Sequence, residues 1–390
     1  MKKSLIALAV LAASGAAMAQ SSVTLYGVAD AFVGSKKVNT VALNATNTGF
    51  SAPSATRQTV IDSSGLNGSR WGLRGNEDLG GGMKAVFVLE SGLNIDTGAA
   101  ASTTSMFNRQ AFVGLDSSSF GTVSLGRHYS AYETVRSGFL SAQGNGTTFD
   151  ATNSPTIGAA NFNRAVAAFA RTGVIPVVPA AATPALTLAA QTAANTALLS
   201  AVNAQAGRIG AWTGYQTRID NSVRYATPNF SGFSAEVVYG LGENKSATAD
   251  ATKNISASLK YANGPIGVAV GHATDELAAG FKVKNTGIGG SYDFGVAKPF
   301  LSFNEAKITG LAKQQEWAVG VRAPIGATTL VAQYAQSKGD DLGKNQSLGL
   351  EAQYSLSKRT TAYAAFNQTK LEGNDNNKNS VVGLGVRHTF

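Results

Sequence analysis

The chain has 390 residues, a net charge of +9, 44 glycines, nine prolines and no cysteine. The lack of cysteine excludes disulfides and thiolate metal sites, and the three histidines form no HxxxH or HxH pattern. Charged residues make up only 14% of the chain and lie singly along it, which argues against nucleic-acid binding.

The first 19 residues, MKKSLIALAVLAASGAAMA, form a separate unit. Lys2 and Lys3 precede an apolar stretch at Leu5–Ala13, and Ala17–Ala19 has the small-x-small pattern of a cleavage site. This arrangement predicts a secretory signal peptide, so that the mature chain of residues 20–390 carries a charge of +7. The apolar stretch is too short to cross a membrane as a helix.

Apolar and polar residues then alternate with a period of two. In Met83–Glu90, MKAVFVLE, the apolar side chains at every second position oppose Lys84 and Glu90. Such alternation is typical of β-strands with one apolar face, and it recurs in roughly sixteen segments. These segments start near residues 23, 69, 83, 107, 121, 219, 233, 252, 266, 284, 298, 314, 328, 345, 360 and 379.

The connections between the segments alternate in length. Short turns such as 77–82 and 116–120 join the members of successive pairs, whereas longer polar links such as 34–68 and 130–217 join the pairs. This asymmetry is typical of outer-membrane barrels, whose short turns collect at one end. Aromatic residues beside the short turns fit a membrane-interface girdle, although a soluble sandwich with aromatic core positions is the alternative. These aromatics are Tyr225, Phe230, Phe233, Tyr261, Tyr292, Phe294, Tyr354 and Phe390.

Six segments resemble the general diffusion porins of Gram-negative outer membranes, and they occur in the order found in that family. The resemblance implies an all-β transmembrane antiparallel barrel of sixteen strands, with a third loop folded toward the lumen. The segments are VTLYGVADA (23–31), SRWGLRGNEDLGGGMKAVFVLESG (69–92), NRQAFVGLDSSSFGTVSLGRHY (108–129), RIDNSVRYATPNFSGF (218–233), YDFGVAKPFLSF (292–303) and VGLGVRHTF (382–390).

The resemblance also implies a function and a set of partners. We expect a homotrimer in the outer membrane with a water-filled pore for passive diffusion of small hydrophilic solutes and ions. The expected partners are outer-membrane lipid, lipopolysaccharide and the assembly machinery, which would read the terminal Phe390. No cofactor, metal or nucleic acid is implied.

The third loop, residues 130–217, departs from the family pattern. It is much longer than usual, and LSAQGNGTTFD (140–150) stands where the family has an acidic PEFGG turn. An Ala-rich insert, residues 164–207, can project outward or narrow the channel, and the sequence leaves both placements open. Glu133 and Asp150 are the acids expected on this loop to face the barrel wall.

Arginines on the strands are predicted to face the lumen, because a cation facing lipid at mid-membrane costs roughly 2–4 kcal/mol in such barrels. Trp71 and Leu73 occupy the lipid side of their segment, which turns Arg70 and Arg74 inward. The same parity turns two further arginines inward, and the resemblance adds a third where alternation is irregular. These are Arg218 and Arg224 by parity and Arg109 by resemblance.

Two interpretations of these arginines remain at this stage. They form a charge-selective wall at the pore constriction that favours anions, or they pair with wall carboxylates such as Glu77, Glu90 or Glu236.

Arg127 differs from these arginines because its parity matches the outward-facing Val123 and Leu125. The resemblance places this strand at the subunit contact, where Asp96 of a neighbouring subunit is the candidate partner of Arg127.

Two other function classes compete with a channel. An outer-membrane hydrolase would need a nucleophile with a positioned base, but the chain has no GxSxG motif, and His128 and His388 have no acid at a recognisable spacing. We therefore predict no enzymatic activity. An adhesin or receptor that uses the long loops is compatible with a pore and stays open.

Overall fold

A computed structural model describes residues 22–40, 54–144, 147–153, 211–243, 245, 251–278, 281–309, 313–339, 343–371 and 378–390. The predicted signal peptide and the Ala-rich insert lie outside these residues. Within them, the chain forms seventeen strands, one short α-helix and one π-helical turn. The strands are β1 Ser22–Thr40, β2 Ser54–Ser63, β3 Arg70–Gly80, β4 Met83–Gly92, β5 Gln110–Ser117, β6 Gly121–Tyr129, β7 Arg218–Ala226, β8 Phe233–Gly240, β9 Asn254–Asn263, β10 Ile266–Ala278, β11 Phe281–Tyr292, β12 Lys298–Ile308, β13 Gln314–Ile325, β14 Thr328–Gly339, β15 Gly343–Ser355, β16 Thr360–Leu371 and β17 Lys378–Thr389.

The strands pair antiparallel with their neighbours in sequence and close into a ring, because β1 also pairs with β17. β2 and β3 lie end to end along one edge of β1: β2 pairs with residues 31–40 and β3 with residues 22–28. They therefore count as one interrupted strand of the wall. The predicted all-β barrel of sixteen antiparallel strands is confirmed.

The prediction of one long link at residues 34–68 is wrong. β1 continues to Thr40 and returns as β2, so that Lys37 lies opposite Arg57 and Thr40 opposite Ser54. This hairpin has polar residues on both faces, and the apolar alternation that marks a lipid-facing strand is absent from it. The break that follows folds inward, where Asp30 accepts three backbone N–H bonds from residues 65–67 at 2.8–3.0 Å.

The outer face of the barrel carries the apolar half of the alternation. Leu25, Leu125, Leu301 and Leu384 are all more than half exposed. Several predicted girdle aromatics stand exposed beside the short turns, with ring centroids 4.5 Å apart for Phe233–Tyr261 and 4.6 Å for Tyr292–Phe294. An apolar outer surface around the whole barrel is stable in contact with the hydrocarbon region of a membrane.

The third loop begins with helix α1, Ala131–Val135, followed by the π-helical turn Arg136–Leu140. The Ser130 hydroxyl caps α1 by accepting the Glu133 N–H at 3.2 Å. Described residues of this loop pack against inward-facing small side chains of the strands, so the main buried cluster lies between loop and wall. Its members are Tyr132, Val135, Leu140, Ala151, Ala211, Trp212, Tyr215, Ala269, Ala273, Ala318 and Ala335, with Phe139 packed against them.

Glycines on β11 provide the space for this packing. A Cβ atom added at Gly287 or Gly289 would lie 2.7 or 2.6 Å from the Leu140 side chain. The loop is also tied to the next strands by hydrogen bonds: Ser302 donates to the Leu140 carbonyl at 2.8 Å, and Asn367 donates to the Phe149 carbonyl at 3.0 Å. The described parts of the loop therefore lie inside the barrel.

The two described ends of the loop meet. The Ala211 N–H donates to the Ala151 carbonyl at 3.3 Å, and the Ser337 hydroxyl of β14 donates to the Ala211 carbonyl at 2.5 Å. Residues 151 and 211, at the two described ends of the loop, thus lie side by side against the wall.

Candidate functional site

Arg70 and Arg74 lie on the inner face of β3, and Trp71 and Leu73 lie on its outer face. The register pairs Gly72, between the two arginines, with Glu90 of β4, so Glu90 shares the inner face with them. Glu90 is 4% exposed.

The Glu90 carboxylate is the centre of the arginine group. Its Oε1 atom accepts Arg109 Nε at 2.7 Å and the Tyr129 hydroxyl at 3.2 Å. Its Oε2 atom accepts the Tyr26 hydroxyl at 3.0 Å and lies 3.4 Å from Arg70 Nε. One buried carboxylate is therefore shared by two guanidiniums and saturated by two tyrosines, an arrangement that fixes all of these side chains.

The two tyrosine rings also support the arginines by cation–π contact. Arg218 and Arg109 lie 5.1 and 5.7 Å from the ring centroid of Tyr129, and Arg74 lies 5.1 Å from that of Tyr26. Each distance is within the range of a favourable contact. The tyrosines were missed by the sequence analysis, although the same parity test places Tyr26 on the inner face.

The group carries a surplus of positive charge. Within the described residues, neither Arg74 nor Arg218 has a carboxylate oxygen within 4 Å, whereas Arg70 and Arg109 share Glu90. The four guanidiniums and the one carboxylate that they contact sum to a charge of +3, and the Glu133 carboxylate of the loop also acts on Arg109.

Arg224 belongs to a separate ion pair. It faces inward from β7, and its Nε donates to Glu236 Oε1 at 2.8 Å, while Lys260 Nζ lies 3.5 Å from Glu236 Oε2. For this arginine, as for Arg70 and Arg109 at Glu90, the structure matches the interpretation in which a wall carboxylate is the partner.

Arg127 lies on the outer face of β6, opposite Ala111, at a position where the register with β7 shifts. Its Nη1 pairs with Asp220 of the same chain, and its Nε donates to the Asn108 carbonyl at 2.8 Å. Asp96, the predicted partner from a neighbouring subunit, is exposed.

The expectation that Asp150 faces the basic wall across the pore is wrong. Asp150 is fully buried; it accepts Arg136 Nη2 at 3.0 Å, and its other oxygen accepts the Ser141 hydroxyl at 3.1 Å and Gln333 Nε2 at 3.0 Å. It attaches the loop to β14. The sequence missed this role because Arg136, its counter-ion, comes from the loop itself.

Glu133 also makes a contact within the loop, since its Oε2 accepts the hydroxyl of Tyr215. Burial and the adjacent Glu133 carboxylate raise the pKa of Tyr215 well above its usual range. Tyr215 therefore remains a hydrogen-bond donor at physiological pH, and this contact holds both described ends of the loop together.

Further cations, which the sequence analysis did not single out, line the wall on β12, β13 and β17. Arg322 Nη1 donates to the Ala142 carbonyl of the loop at 2.8 Å, and Arg387 Nη1 donates to Asn67 Oδ1 at 2.8 Å. Lys298 lies opposite Arg322 in the register and therefore on the same face. The alternation of side chains along the strands was sufficient to place these cations on the inner face, but it could not show that they contact the loop.

The two histidines weighed as catalytic candidates bind hydroxyl groups. His128 is fully buried, and its ring nitrogens contact the hydroxyls of Ser124 at 2.9 Å and Ser222 at 2.8 Å. His388 contacts the hydroxyl of Thr360 at 2.9 Å. Among the described residues, no three His, Cys, Asp or Glu side chains are grouped to hold a metal ion. The described part of the chain also contains no helix long and apolar enough to cross a membrane.

A family model for Gram-negative porins matches residues 5–374, nearly the whole chain. The chain belongs to the Gram-negative porins. An outer membrane porin protein of Bordetella pertussis is 32% identical to this porin over 445 aligned positions that cover both chains completely. Outer membrane porin protein 32 of Delftia acidovorans is 33% identical to this porin, and the alignment covers all of this chain and 94% of the relative.

Solved structures agree with this assignment. An anion-selective porin from Comamonas acidovorans superposes with a TM-score of 0.68 and 26% identity, over 95% of this porin and all of the other chain. OmpT of Vibrio cholerae, in its trimer form, superposes with a TM-score of 0.56 at 14% identity over 95% and 99% of the two chains, a likeness in fold alone. This protein is a porin of the outer membrane and forms a channel for passive diffusion.

Proposed function

We propose that this porin favours anions, and that Arg70, Arg74, Arg109 and Arg218 are the residues responsible. The observation that carries the proposal is the local charge of +3 around Glu90. Pores commonly use rings of arginine or lysine to select anions. The likeness to an anion-selective porin at 26% identity also supports a preference for anions over cations.

The selection is electrostatic and needs no covalent step or cofactor. A narrow lumen with walls of low dielectric constant concentrates the field of wall charges on a passing ion. At physiological salt the screening length is about 8 Å, comparable to the half-width of such a constriction, so wall charges act on ions at the centre of the pore. Fixed guanidiniums act without first having to reorganise.

We propose further that the third loop narrows the channel. Loop contacts with Ser302, Gln333 and Asn367 extend over β12, β14 and β16, so the described loop spans a large part of the inner wall. Hydrophilic solutes small enough to pass between the loop and the arginine group are the proposed substrates.

The proposed assembly is a homotrimer in contact with outer-membrane lipid and lipopolysaccharide. Phe390 is the proposed signal for the assembly machinery; its backbone pairs with Gly27 at 3.0 and 3.1 Å, and its ring covers Gly27 on the outer face. A Cβ atom at Gly27 would lie 2.3 Å from the Phe390 ring, so glycine leaves the space that this ring occupies.

Planar bilayer recording tests the proposed selectivity. With a tenfold KCl gradient across the membrane, we expect the purified porin to show stepwise conductance and a reversal potential of the sign produced by chloride permeation. Conductance with a reversal potential of the opposite sign would refute the anion preference and leave the channel assignment intact.

The subunit contact is tested by Arg127→Ala. If Arg127 reaches a neighbouring subunit, this variant weakens the trimer, measured as a lower dissociation temperature in detergent, and leaves the reversal potential unchanged. Asp220→Asn is the matched control because it removes the partner seen within the chain. Equal loss of trimer stability in both variants would show that Arg127 acts through Asp220, without Asp96 of a neighbour.

A further inference from the structure

Strand β2 of this porin is paired on one side only, although it belongs to the wall of a closed barrel. It pairs with residues 31–40 of β1 along its whole length, from Ser54 to Ser63. Within the described part of the chain, the backbone of residues 54–62 has no strand on its other side. Closed barrels normally leave no free strand edge, and a free edge is a template for pairing with another chain.

The edge becomes free where β4 ends. β3 and β4 pair as far as Arg70 and Gly92, and the chain then turns back on itself in the second loop, residues 93–106. Among the described residues, one hydrogen bond joins this loop to β2, from the Ile95 N–H to the Ser63 hydroxyl at 3.2 Å. Beyond that contact, β2 continues toward the long loops with no strand beside it.

The edge is held in place by contacts on both faces of β2. On the inner face, Val60 packs against a buried cluster that includes aromatic residues, and Asp62 pairs with Lys36 at 3.5 Å. On the outer face, Arg57 Nη1 donates to the Ser35 hydroxyl at 3.0 Å. Because the strand is already ordered, a partner that pairs with it does not have to order β2 first.

The free edge is long and accessible enough to receive a strand. Residues 56–59 are all exposed, and Ile61 on the outer face is 69% exposed. In an antiparallel pair, alternate residues direct their N–H and C=O groups to the partner strand, so the other residues of β2 direct theirs to the open side. Residues 56–61 span about 20 Å, which is the length of an ordinary strand.

The outer face beside this edge carries positive charge that its own loop does not offset. Lys37 and Arg57 lie directly opposite each other in the register, and residues 38–56, which join them, contain no Asp or Glu. Within the described residues, neither cation has a carboxylate oxygen within 4 Å, whereas Asp62 pairs with Lys36. Like charges directly opposite each other destabilise a sheet, so an acid on a further strand beside Arg57 would relieve this repulsion.

We propose that the free edge of β2 binds an extended, acidic segment of a partner protein outside the cell, by addition of an antiparallel strand. Strand addition to a free sheet edge is a common mode of peptide recognition, in which the backbone supplies affinity and alternate side chains supply specificity. The long loops of outer-membrane barrels face the cell exterior, and β2 lies at their end of the barrel. Antiparallel pairing is favoured because it is slightly more stable per residue than parallel pairing.

The outward residues of β2 determine the side chains of the bound segment. Residues directly opposite one another in a sheet are in contact, so the segment has an apolar residue opposite Ile61, a β-branched residue opposite Thr59 and an acidic residue opposite Arg57. In antiparallel order, the segment therefore has the pattern apolar, any, β-branched, any, acidic. This binding uses the edge and the outer face of the wall and leaves the lumen open.

A labelled synthetic peptide of about ten residues with this pattern tests the proposed mode of binding. The measurement is the fluorescence anisotropy of the peptide as the folded porin is added in detergent. Two further peptides carry methyl groups on one or the other alternate set of backbone nitrogens. We expect one set of methyl groups to abolish binding, because those nitrogens donate to β2, and the other set to change the affinity less than about twofold.

The variant Arg57→Glu tests the proposed preference for acid. We expect it to bind the acidic peptide about tenfold more weakly than the wild type does, and to prefer a peptide with lysine in place of the acid. Arg359→Glu makes the same change of charge at an exposed short turn and should bind the acidic peptide as the wild type does.

The proposal is overturned if the wild type does not bind the acidic peptide, if both methylated peptides bind equally well, or if Arg57→Glu keeps the preference for acid. Association of porin copies through β2 that excludes the peptide, measured by light scattering, would also overturn it and make a second copy the occupant. Single-channel conductance of the same preparations separates this test from the pore proposal, since a porin that conducts but fails the peptide tests refutes the edge site alone.

Discussion

Replacement of Arg74 and Arg218 by glutamine is expected to move the reversal potential by about 20 mV toward cation preference in a tenfold KCl gradient. That is about one third of the roughly 59 mV that separates an unselective pore from an ideally selective one. The two arginines dominate because, within the described residues, they have no carboxylate within 4 Å, so that their charge is not offset locally. At molar salt, where the screening length is about 3 Å, the shift should nearly vanish.

Two controls make this prediction specific to the wall. Lys358→Gln/Arg359→Gln lowers the net charge equally at an exposed turn and should leave the reversal potential close to that of the wild type. Glu90→Gln should move it the opposite way, because the local charge rises from +3 to +4. An unchanged reversal potential in Arg74→Gln/Arg218→Gln at low salt would mean that these arginines are structural.

The second large effect is expected from Asp150→Asn, which should detach the third loop from the wall. The substitution leaves the buried guanidinium of Arg136 without its counter-ion. Breaking a buried pair in this way costs about 3–5 kcal/mol. We expect a higher mean single-channel conductance with frequent fluctuations, and faster proteolysis within the loop, while the barrel stays folded.

The same substitution at a surface pair provides the control. Lys36 and Asp62 pair at 3.5 Å between β1 and β2, with their side chains 17% and 34% exposed, and Asp62→Asn should change neither conductance nor proteolysis. Combining Asp150→Leu with Arg136→Met should restore much of the lost stability, since a buried ion pair can often be replaced by apolar side chains. Quiet, wild-type conductance in Asp150→Asn would contradict the anchoring role.

Most of the barrel was predictable because contact with lipid requires an apolar side chain at every second residue of a strand. Segments such as Met83–Glu90 show that period, and their strand positions agree with the sequence. The pairing of residues 31–40 with residues 54–63 was missed, since the polar side chains on both faces of these strands carry no such requirement. Strands can therefore be predicted from the sequence where one of their faces contacts lipid.

The candidate site was predictable only in part. Parity placed Arg70 and Arg74 inward, but it could not show that Arg70 and Arg109 share Glu90. The partners of Asp150 were unpredictable for a similar reason, because they come from the loop and from a distant strand. The face that a side chain occupies follows from the alternation of its neighbours in sequence. Its hydrogen-bond or ion-pair partner depends on which distant strands and loop residues the closed barrel brings together.

The meeting of residues 151 and 211 beside the wall has a consequence for how this porin tolerates change. Because the chain departs and returns at one hydrogen-bonded point, a segment between residues 153 and 211 can be lengthened, shortened or exchanged while the attachment points stay in register. Doubling the length of a flexible loop costs only about 0.6 kcal/mol in closure entropy. New sequence can therefore accumulate between residues 153 and 211 while both described ends of the third loop stay attached to the wall.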